Sequence, residues 1–195
     1  MGKKPFPVGF WNYAKIEQLN VSCVRDWADA GMTLTMSPEY GPRKEHVVKM
    51  LKILDAAQEA GIRVILCDGR SYWPNLSRNG EEKYRAGFKD AVRQFGKHPA
   101  VFGFHVGDEP GRDDFKDACR VIRIQKEMAP HLSPFCNHLP WHTGVPSRVG
   151  FESWAEYLDR YAEEGRPDYL CYDCYSQMNP GTEGWDMYFR NLREV

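Results

Sequence analysis

Hydrophobic residues along the chain alternate between two spacings. Short runs that are continuously apolar, or apolar at every second position, predict β-strands, whereas stretches with apolar residues three or four apart predict amphipathic helices. Strands and helices defined in this way follow one another six times. The predicted strands cover residues 6–13, 32–37, 62–67, 100–106, 133–137 and 167–175, and the predicted helices cover residues 20–31, 46–60, 82–95, 113–128, 151–164 and 185–192.

Six strand–helix units in succession predict a parallel sheet, because each right-handed crossover returns the chain to the same end. Both an open doubly wound sheet and a closed barrel satisfy this pattern. The turn after the first strand, residues 11–14, lacks the glycines of a dinucleotide-binding turn. Polar and aromatic residues follow nearly every predicted strand, which is typical of a (β/α)8 TIM barrel with its site at the strand ends. We therefore expect an α/β fold of that type, with residues 1–195 forming a single partial-barrel domain of six βα units.

The charge balance restricts the class of partner. With 26 basic and 27 acidic residues the net charge is −1, which gives no electrostatic footprint for nucleic acid or an anionic membrane. The apolar runs are shorter than a membrane span needs, and no signal peptide is apparent. We expect a neutral oligo- or polysaccharide partner rather than nucleic acid or membrane. The compartment stays open, because a secreted protein whose signal had been removed would look the same.

The six cysteines lie in periodic apolar segments rather than in loops, so we expect buried, unpaired thiols. Cys171 and Cys174 have zinc-knuckle spacing. On a strand, however, residues three apart face opposite sides, and no second Cys/His pair completes a site. We therefore expect no metal and no cofactor.

The segment from Ala100 to Pro110 is the most informative part of the chain. Strict alternation would place its large apolar side chains on the face that lies under the helices. Small residues on the opposite face would leave room for a substrate, and Glu109 would project from the rim into that space. The first face then holds Phe102, Phe104 and Val106, and the second holds Gly103, His105, Gly107 and Glu109.

Asp108-Glu109-Pro110, at the end of the predicted fourth strand, resembles the Asn-Glu-Pro of the (β/α)8 retaining glycoside hydrolases. The resemblance covers the whole chain in architecture, but only this segment, and weakly residues 173–175, in motif. It implies hydrolysis of a carbohydrate, with Glu109 as general acid and then base. Asp108 replaces an Asn that hydrogen-bonds the sugar 2-hydroxyl, and it can accept such a bond but cannot donate one. Its charge would also raise the pKa of Glu109. The alternative is that Asp108 and Glu109 only cap the next helix.

Other candidate substrate contacts lie near the same rim. His105 either hydrogen-bonds Glu109 or is a core histidine. The resemblance implies that Tyr175 hydrogen-bonds the nucleophile, and Asp173 is either a substrate ligand or a second catalytic carboxylate. Glu39 either contacts substrate or is simply solvated. The remaining candidates follow strand ends or lie in the loops beyond them: Trp11, Asp68, Asn137, His138 and Trp141.

A retaining glycosidase needs a second carboxylate about 5 to 5.5 Å from the first. The resemblance places this nucleophile on a seventh strand, whereas the sequence ends in the sixth helix. We expect a fragment, a barrel completed by another chain, or an open edge through which copies self-associate. Two further hypotheses are a catalytically silent carbohydrate-binding barrel and a divalent-metal hydrolase or isomerase. The metal site would use His105, Asp108, Glu109 and His138, without the usual ligand spacing.

Overall fold

The computed structural model describes residues 6–175, 177–179 and 181–195. Five parallel strands pair with their sequence neighbours in the order β1-β2-β3-β4-β5. An open doubly wound sheet would reverse direction at its first strand, so the sequential order confirms the barrel-type prediction. The strands are β1 (Leu34–Met36), β2 (Arg63–Leu66), β3 (Val101–Asp108), β4 (Phe135–His138) and β5 (Cys171–Tyr172).

All six predicted helices are present, and two short helices lie in segments predicted as loops. Each of these short helices has a proline in its first turn, where the missing N–H group is no loss. A 3-10 turn, Ile16–Gln18, precedes the first helix. The helices are α1 (Val21–Asp29), α2 (Lys44–Glu59), α3 (Pro74–Asn79), α4 (Glu81–Phe95), α5 (Phe115–Met128), α6 (Val145–Val149), α7 (Trp154–Gly165) and α8 (Trp185–Glu194).

The predicted first strand, residues 6–13, does not form a regular strand, so six predicted parallel strands become five. Its backbone nevertheless runs beside β1, where the Val8 carbonyl accepts hydrogen bonds from the N–H groups of Thr33 and Leu34 at 2.8 and 3.0 Å. Pro7 has no N–H group to donate to a ladder. Gly9 fits against the Leu34 carbonyl, where a Cβ atom would come within 1.6 Å of the oxygen. The segment therefore occupies a first-strand position without a continuous ladder.

The predicted sixth strand is much shorter than residues 167–175. Only Cys171–Tyr172 pairs with β4. An antiparallel hairpin then follows, formed by β6 (Gln177–Asn179) and β7 (Thr182–Glu183), before α8 begins. The hairpin was not predicted.

The main hydrophobic core lies between the sheet and its helices. Phe104 of β3 packs edge-on against Phe88 of α4, with ring centroids 5.1 Å apart. Leu54 of α2 and Trp154 of α7 are also fully buried in this layer. The helices thus cover one face of the sheet completely.

The other face of the sheet curves around an interior. A small cluster of Met36, Ile65 and Cys67 lies there. A cavity of about 590 Å³ is lined both by the first segment, through Phe10, and by the last parallel strand, through Cys171. Because residues from both ends of the sheet line one cavity, the sheet is curved toward closure. The chain has the α/β fold of a partial (β/α)8 barrel.

Strand β3 carries two residues more than its neighbours, so the predicted alternation along it is wrong. One extra residue lies between the pairs Val64–Val101 and Ile65–Gly103, and the second lies between His105 and Gly107 opposite β4. Such bulges change which side chains face the interior. Phe102 lines the interior cavity, whereas Phe104 and Val106 belong to the outer core.

The two glycines of β3 also have a role that differs from the predicted one. A Cβ atom at Gly103 would lie 1.7 Å from the Ser133 carbonyl oxygen, and one at Gly107 would lie 1.9 Å from the ring of Trp73. Both glycines are therefore required by packing against the protein itself. They do not serve to leave space for a substrate.

All six cysteines are free thiols, as predicted, but only Cys67, Cys119 and Cys136 are buried, whereas the other three are partly exposed. In the part of the chain that the structure describes, no helix is long and apolar enough to cross a membrane.

Candidate active site

Glu109 follows β3 directly, in a backbone conformation that side chains rarely adopt. Its φ is +48°, and its N–H group donates to the Asn137 carbonyl at 2.9 Å. A left-handed conformation costs a residue with a Cβ about 1 to 2 kcal/mol. Strain of this kind is often found at functional sites, where the surrounding structure imposes it. At Glu109, the bond to β4 and the buried Pro110 that follows fix the direction in which the side chain leaves the rim.

The Glu109 carboxyl lies in a mixed electrostatic environment. Its side chain is 26% exposed, and its Oε2 accepts from the Arg148 Nη2 at 3.0 Å. Partial burial raises the pKa of Glu109, the neighbouring charge of Asp108 raises it further, Arg148 opposes this, and Asp173 adds to the increase. The net shift is upward, toward the range in which a carboxyl can hold a proton as a general acid.

Asp108 faces the barrel interior together with Asn137. The Asn137 Nδ2 donates to the Asp108 Oδ1 at 2.9 Å, and the Cys171 thiol donates to the Asn137 Oδ1 at 3.4 Å. The buried Asn137 amide is therefore held at both ends, and it orients the carboxyl of Asp108. Desolvation raises the pKa of Asp108, while the bond from Asn137 lowers it and the charge of Asp173 raises it.

Asp173 and Tyr175 lie on the same part of the rim, beyond β5. The Asp173 N–H group donates to the His138 carbonyl at 3.0 Å. Tyr175 is 59% exposed, and its pKa is raised mainly by Asp173, with smaller contributions from Asp108 and Glu109. Three carboxyls and one phenol from the ends of β3 and β5 therefore meet at one edge, as the sequence predicted.

Neither Asp108 nor Glu109 caps the following helix. Helix α5 begins at Phe115, and its N-cap residue is Asp114. The first-turn bonds run from Phe115 to the Gly111 carbonyl and from Ala118 to the Asp114 carbonyl. The helix-cap alternative is therefore wrong.

His105 lies inside the barrel, below this edge, and does not bond Glu109. Its ring is buried, neither ring nitrogen bonds a side chain among the described residues, and burial lowers its pKa to about 4 against the opposing effect of a backbone bond with Gly107. The rings of Trp11 and Tyr72 pack edge-on against it at 5.3 and 5.2 Å. His105 is thus a neutral histidine whose two polar atoms are available inside an aromatic enclosure.

A second part of the rim is formed by Trp11 and the exposed Glu39. Both line a cleft of about 390 Å³ together with Asn12 and Tyr13. The nearby Tyr72 hydroxyl is buried and lies close to Glu39 and Cys67. Burial raises the pKa of Tyr72, and Cys67 and Glu39 add to the shift. Sequence analysis did not identify Tyr72, because it lies in a loop whose path the hydrophobic pattern does not define.

His138 was predicted to bind substrate, but its side chain points away from the barrel interior. It is fully buried between β4 and α7, where its Nδ1 bonds the Tyr157 hydroxyl and its ring packs against Tyr161 at 4.1 Å. Burial lowers its pKa to about 3. We therefore leave His138 out of the proposed site.

Asp68 and Trp141 also have structural roles. Asp68 is completely buried and pairs with Arg70, whose Nη2 lies 2.6 Å from the Asp68 Oδ2. The Trp141 backbone is held by Asn191, and the Arg190 guanidinium covers its ring at 3.5 Å from the centroid. Neither side chain is included in the proposed site.

The positions of the histidines also contradict the metal hypothesis. His105 faces the interior and His138 faces the helices, so the two cannot bind one ion with Asp108 and Glu109. Within the described ranges, no group of three or more His, Cys, Asp or Glu side chains has an arrangement that could hold a metal ion.

Comparison with known proteins identifies similar structures but no sequence family. No protein-family model matches the sequence, and no curated protein matches it. A β-galactosidase from the psychrophilic Marinomonas ef1 is 13% identical with a TM-score of 0.58, over 88% of this chain and 41% of that chain. Bacteroides uniformis β-glucuronidase 2 is 12% identical with a TM-score of 0.55, over 90% of this chain and 21% of that chain.

A fungal endo-β-N-acetylglucosaminidase from glycosyl hydrolase family 18 is 15% identical with a TM-score of 0.54, over 84% of this chain and 62% of that chain. The chain spans less than two thirds of each of these three proteins. At such identities the similarity shows the fold.

Proposed function

We propose that this chain carries the acid/base half of a barrel that hydrolyses glycosidic bonds, with Glu109 donating the proton to the leaving oxygen. The observation that carries the proposal is the geometry at Glu109. A strained backbone, fixed by the bond to Asn137, places a partly buried carboxyl with a raised pKa at the C-terminal end of a barrel strand. The three similar structures also bear the names of glycosidases.

The neighbouring groups have roles that fit this chemistry. Asp108, oriented by Asn137, accepts a hydrogen bond from a sugar hydroxyl. Asp173 and Tyr175 contact the sugar from the β5 side of the same edge. Trp11 and Glu39 line the cleft on the other side. His105 contributes a neutral nitrogen from below. The attacking carboxylate belongs to the seventh strand that the resemblance implies, so the proposal concerns proton transfer only.

The test is the replacement Glu109→Gln, which keeps size and hydrogen-bonding reach but removes the titratable proton. In the complete barrel, turnover of oligosaccharides and of aryl glycosides with poor leaving groups should fall about 10²- to 10⁴-fold, because general-acid assistance is lost. Aryl glycosides with good leaving groups should lose much less in the bond-breaking step, since they need less protonation. Kinetics across a leaving-group series, with thermal unfolding in parallel, measures both.

Asp113→Asn is the matched control, since Asp113 is an exposed carboxylate in the same loop. It should leave both turnover and stability unchanged. Full turnover of oligosaccharides by Glu109→Gln would remove Glu109 from catalysis. Oligosaccharide binding without any turnover by the unsubstituted complete barrel would favour the silent carbohydrate-binding barrel instead.

A further inference from the structure

Arg148 reaches Glu109 from a segment that was predicted to be a loop. Helix α6 has only five residues, and it is anchored by the buried side chains of Val145 and Val149. Arg148 lies between them in sequence but faces the rim, with its side chain 56% exposed. The backbone of Arg148 is thus held in place while its guanidinium extends toward the Glu109 carboxyl.

The residues after Arg148 also fix the position of this short helix. Gly150 has a φ of +82° and ends the helix, and a Cβ atom there would lie 2.6 Å from the Arg112 side chain. The Arg112 N–H group also donates to the Arg148 carbonyl at 3.3 Å. The loop that carries Glu109 and the short helix that carries Arg148 are therefore connected directly.

More negative than positive side chains surround the Glu109 carboxyl. Asp108 from β3 and Asp173 from beyond β5 both face it, and each favours the protonated form. Arg148 from α6 is the cation that pairs with it among the described residues. Arg112 lies close by, but it donates to the Ser147 carbonyl instead. Arg148 therefore opposes the two carboxylates that favour protonation.

A general acid must carry a proton when the substrate is bound, whereas a guanidinium at 3.0 Å stabilises the ionised carboxylate. Both conditions are met if the ion pair exists in the empty site and is lost when the site is filled. We propose that Arg148 is a positioning residue for Glu109, which holds the carboxylate at the rim in the empty site and must withdraw before Glu109 can act as the acid.

This inference rests on the proposed function for its role in the reaction, but its test does not require turnover. The step itself is one proton taken up from solvent by Glu109 when Arg148 leaves. The same proton then passes to the oxygen of the departing sugar. As the proton is transferred, the bond between that oxygen and the anomeric carbon breaks, and the attacking carboxylate of the complete barrel bonds to that carbon.

The test is a titration of the Glu109 carboxyl by NMR, with carboxyl-labelled glutamate and with Glu109→Gln to assign the signal. Arg148→Gln should raise the pKa of Glu109 by about one unit or more, because an opposite charge at this distance lowers a carboxyl pKa by about 1 to 3 units. Arg148→Lys should restore part of the difference. Arg160→Gln, which removes an arginine on α7 that pairs with Glu164, should leave the titration unchanged.

An unchanged Glu109 titration in Arg148→Gln, with native folding confirmed by the other signals, overturns the inference. If the titration shifts, the pH dependence of kcat/KM supplies a second check. A general acid loses activity as pH rises through its pKa, so the basic limb should move upward by the same shift. If the basic limb does not move, Arg148 has no effect on the proton transfer by Glu109. In a third outcome, Glu109→Gln retains turnover while Arg148→Gln still shifts the titration of Glu109. That result would contradict the proposed function but would confirm the ion pair between Arg148 and Glu109.

Discussion

Phe102 and Phe104 lie two residues apart on the same strand, yet they face opposite layers of the molecule. Phe104 is buried among helices, packed against Phe88. Phe102 faces the interior, partly exposed, with the Arg63 guanidinium 5.1 Å above its ring. Side chains two apart on a regular strand would share a face. Phe102 is itself the extra residue of the bulge, so it lies at the wall of an open cavity, whereas Phe104 packs in the closed core.

The largest expected effect comes from removing the buried member of this pair. Phe104→Ala should lower the free energy of unfolding by about 3 to 5 kcal/mol, because it leaves a cavity in a closed core. Phe102→Ala should cost clearly less, since its ring is already partly solvated. Chemical denaturation of the two variants measures the difference. Equal losses would mean that the interior face is packed as tightly as the outer one.

The two buried histidines also lie on opposite faces of the sheet, and their protonation makes the stability of the fold depend on pH. Burial lowers the pKa of His105 to about 4 and that of His138 to about 3, below the ordinary 6.5. The unfolded chain therefore binds protons that the folded chain does not, between pH 6.5 and these values. Stability is complete above pH 6.5 and is lost as pH falls toward 4, by an amount on the order of 2 kcal/mol for each histidine.

Replacing each histidine in turn distinguishes the contributions of the two faces to stability. His105→Phe removes two buried ring nitrogens that bond no side chain in the described part of the chain, so it should raise stability by about 1 kcal/mol at pH 7 and flatten the acid loss. His138→Phe should also flatten that loss but should reduce stability at pH 7, because it breaks the bond to Tyr157. Unfolding curves at pH 7 and pH 4.5 measure both. A His105→Phe variant that is less stable at both pH values would show that His105 has a structural partner.

The smallest expected effect concerns the backbone at the rim. Glu109→Gln and Glu109→Asn both remove the ion pair with Arg148, but Asn tolerates a left-handed conformation better. The Asn variant should therefore be about 0.5 kcal/mol more stable than the Gln variant. Thermal unfolding of the two variants provides the comparison. Equal stability would mean that the positive φ of Glu109 carries no strain.

The sequence predicted the fold well because hydrophobic periodicity reports packing between sheet and helices. Helices α2, α4 and α5 lie within two residues of their predicted boundaries, and the strand order is as expected. The prediction of a first strand was wrong, because backbone hydrogen bonding, and not the side-chain pattern, determines whether a ladder forms. Pro7 removes a donor, and no periodicity shows that loss.

The site was predicted less completely, for two physical reasons. The strand ends correctly identified Asp108, Glu109 and Asp173 as neighbours, because parallel strands finish at one edge. Alternation then assigned the glycines of β3 to a substrate space, since a pattern of period two cannot show an extra residue. Arg148 and Tyr72 were not found, because they reach the site from segments that the hydrophobic pattern leaves as loops, although Arg148 lies on the short helix α6.

The two extra residues of β3 also have a consequence for how relatives of this chain would be recognised. A protein that lost one of them would keep the letters Asp-Glu-Pro, yet the carboxyl of the aspartate would turn from the interior toward the helices. Identity of the tripeptide is therefore not enough to infer identity of the site. The number of residues between Val101 and Asp108 therefore matters as much as their identity, because each residue added to or removed from this strand changes the face on which the motif lies.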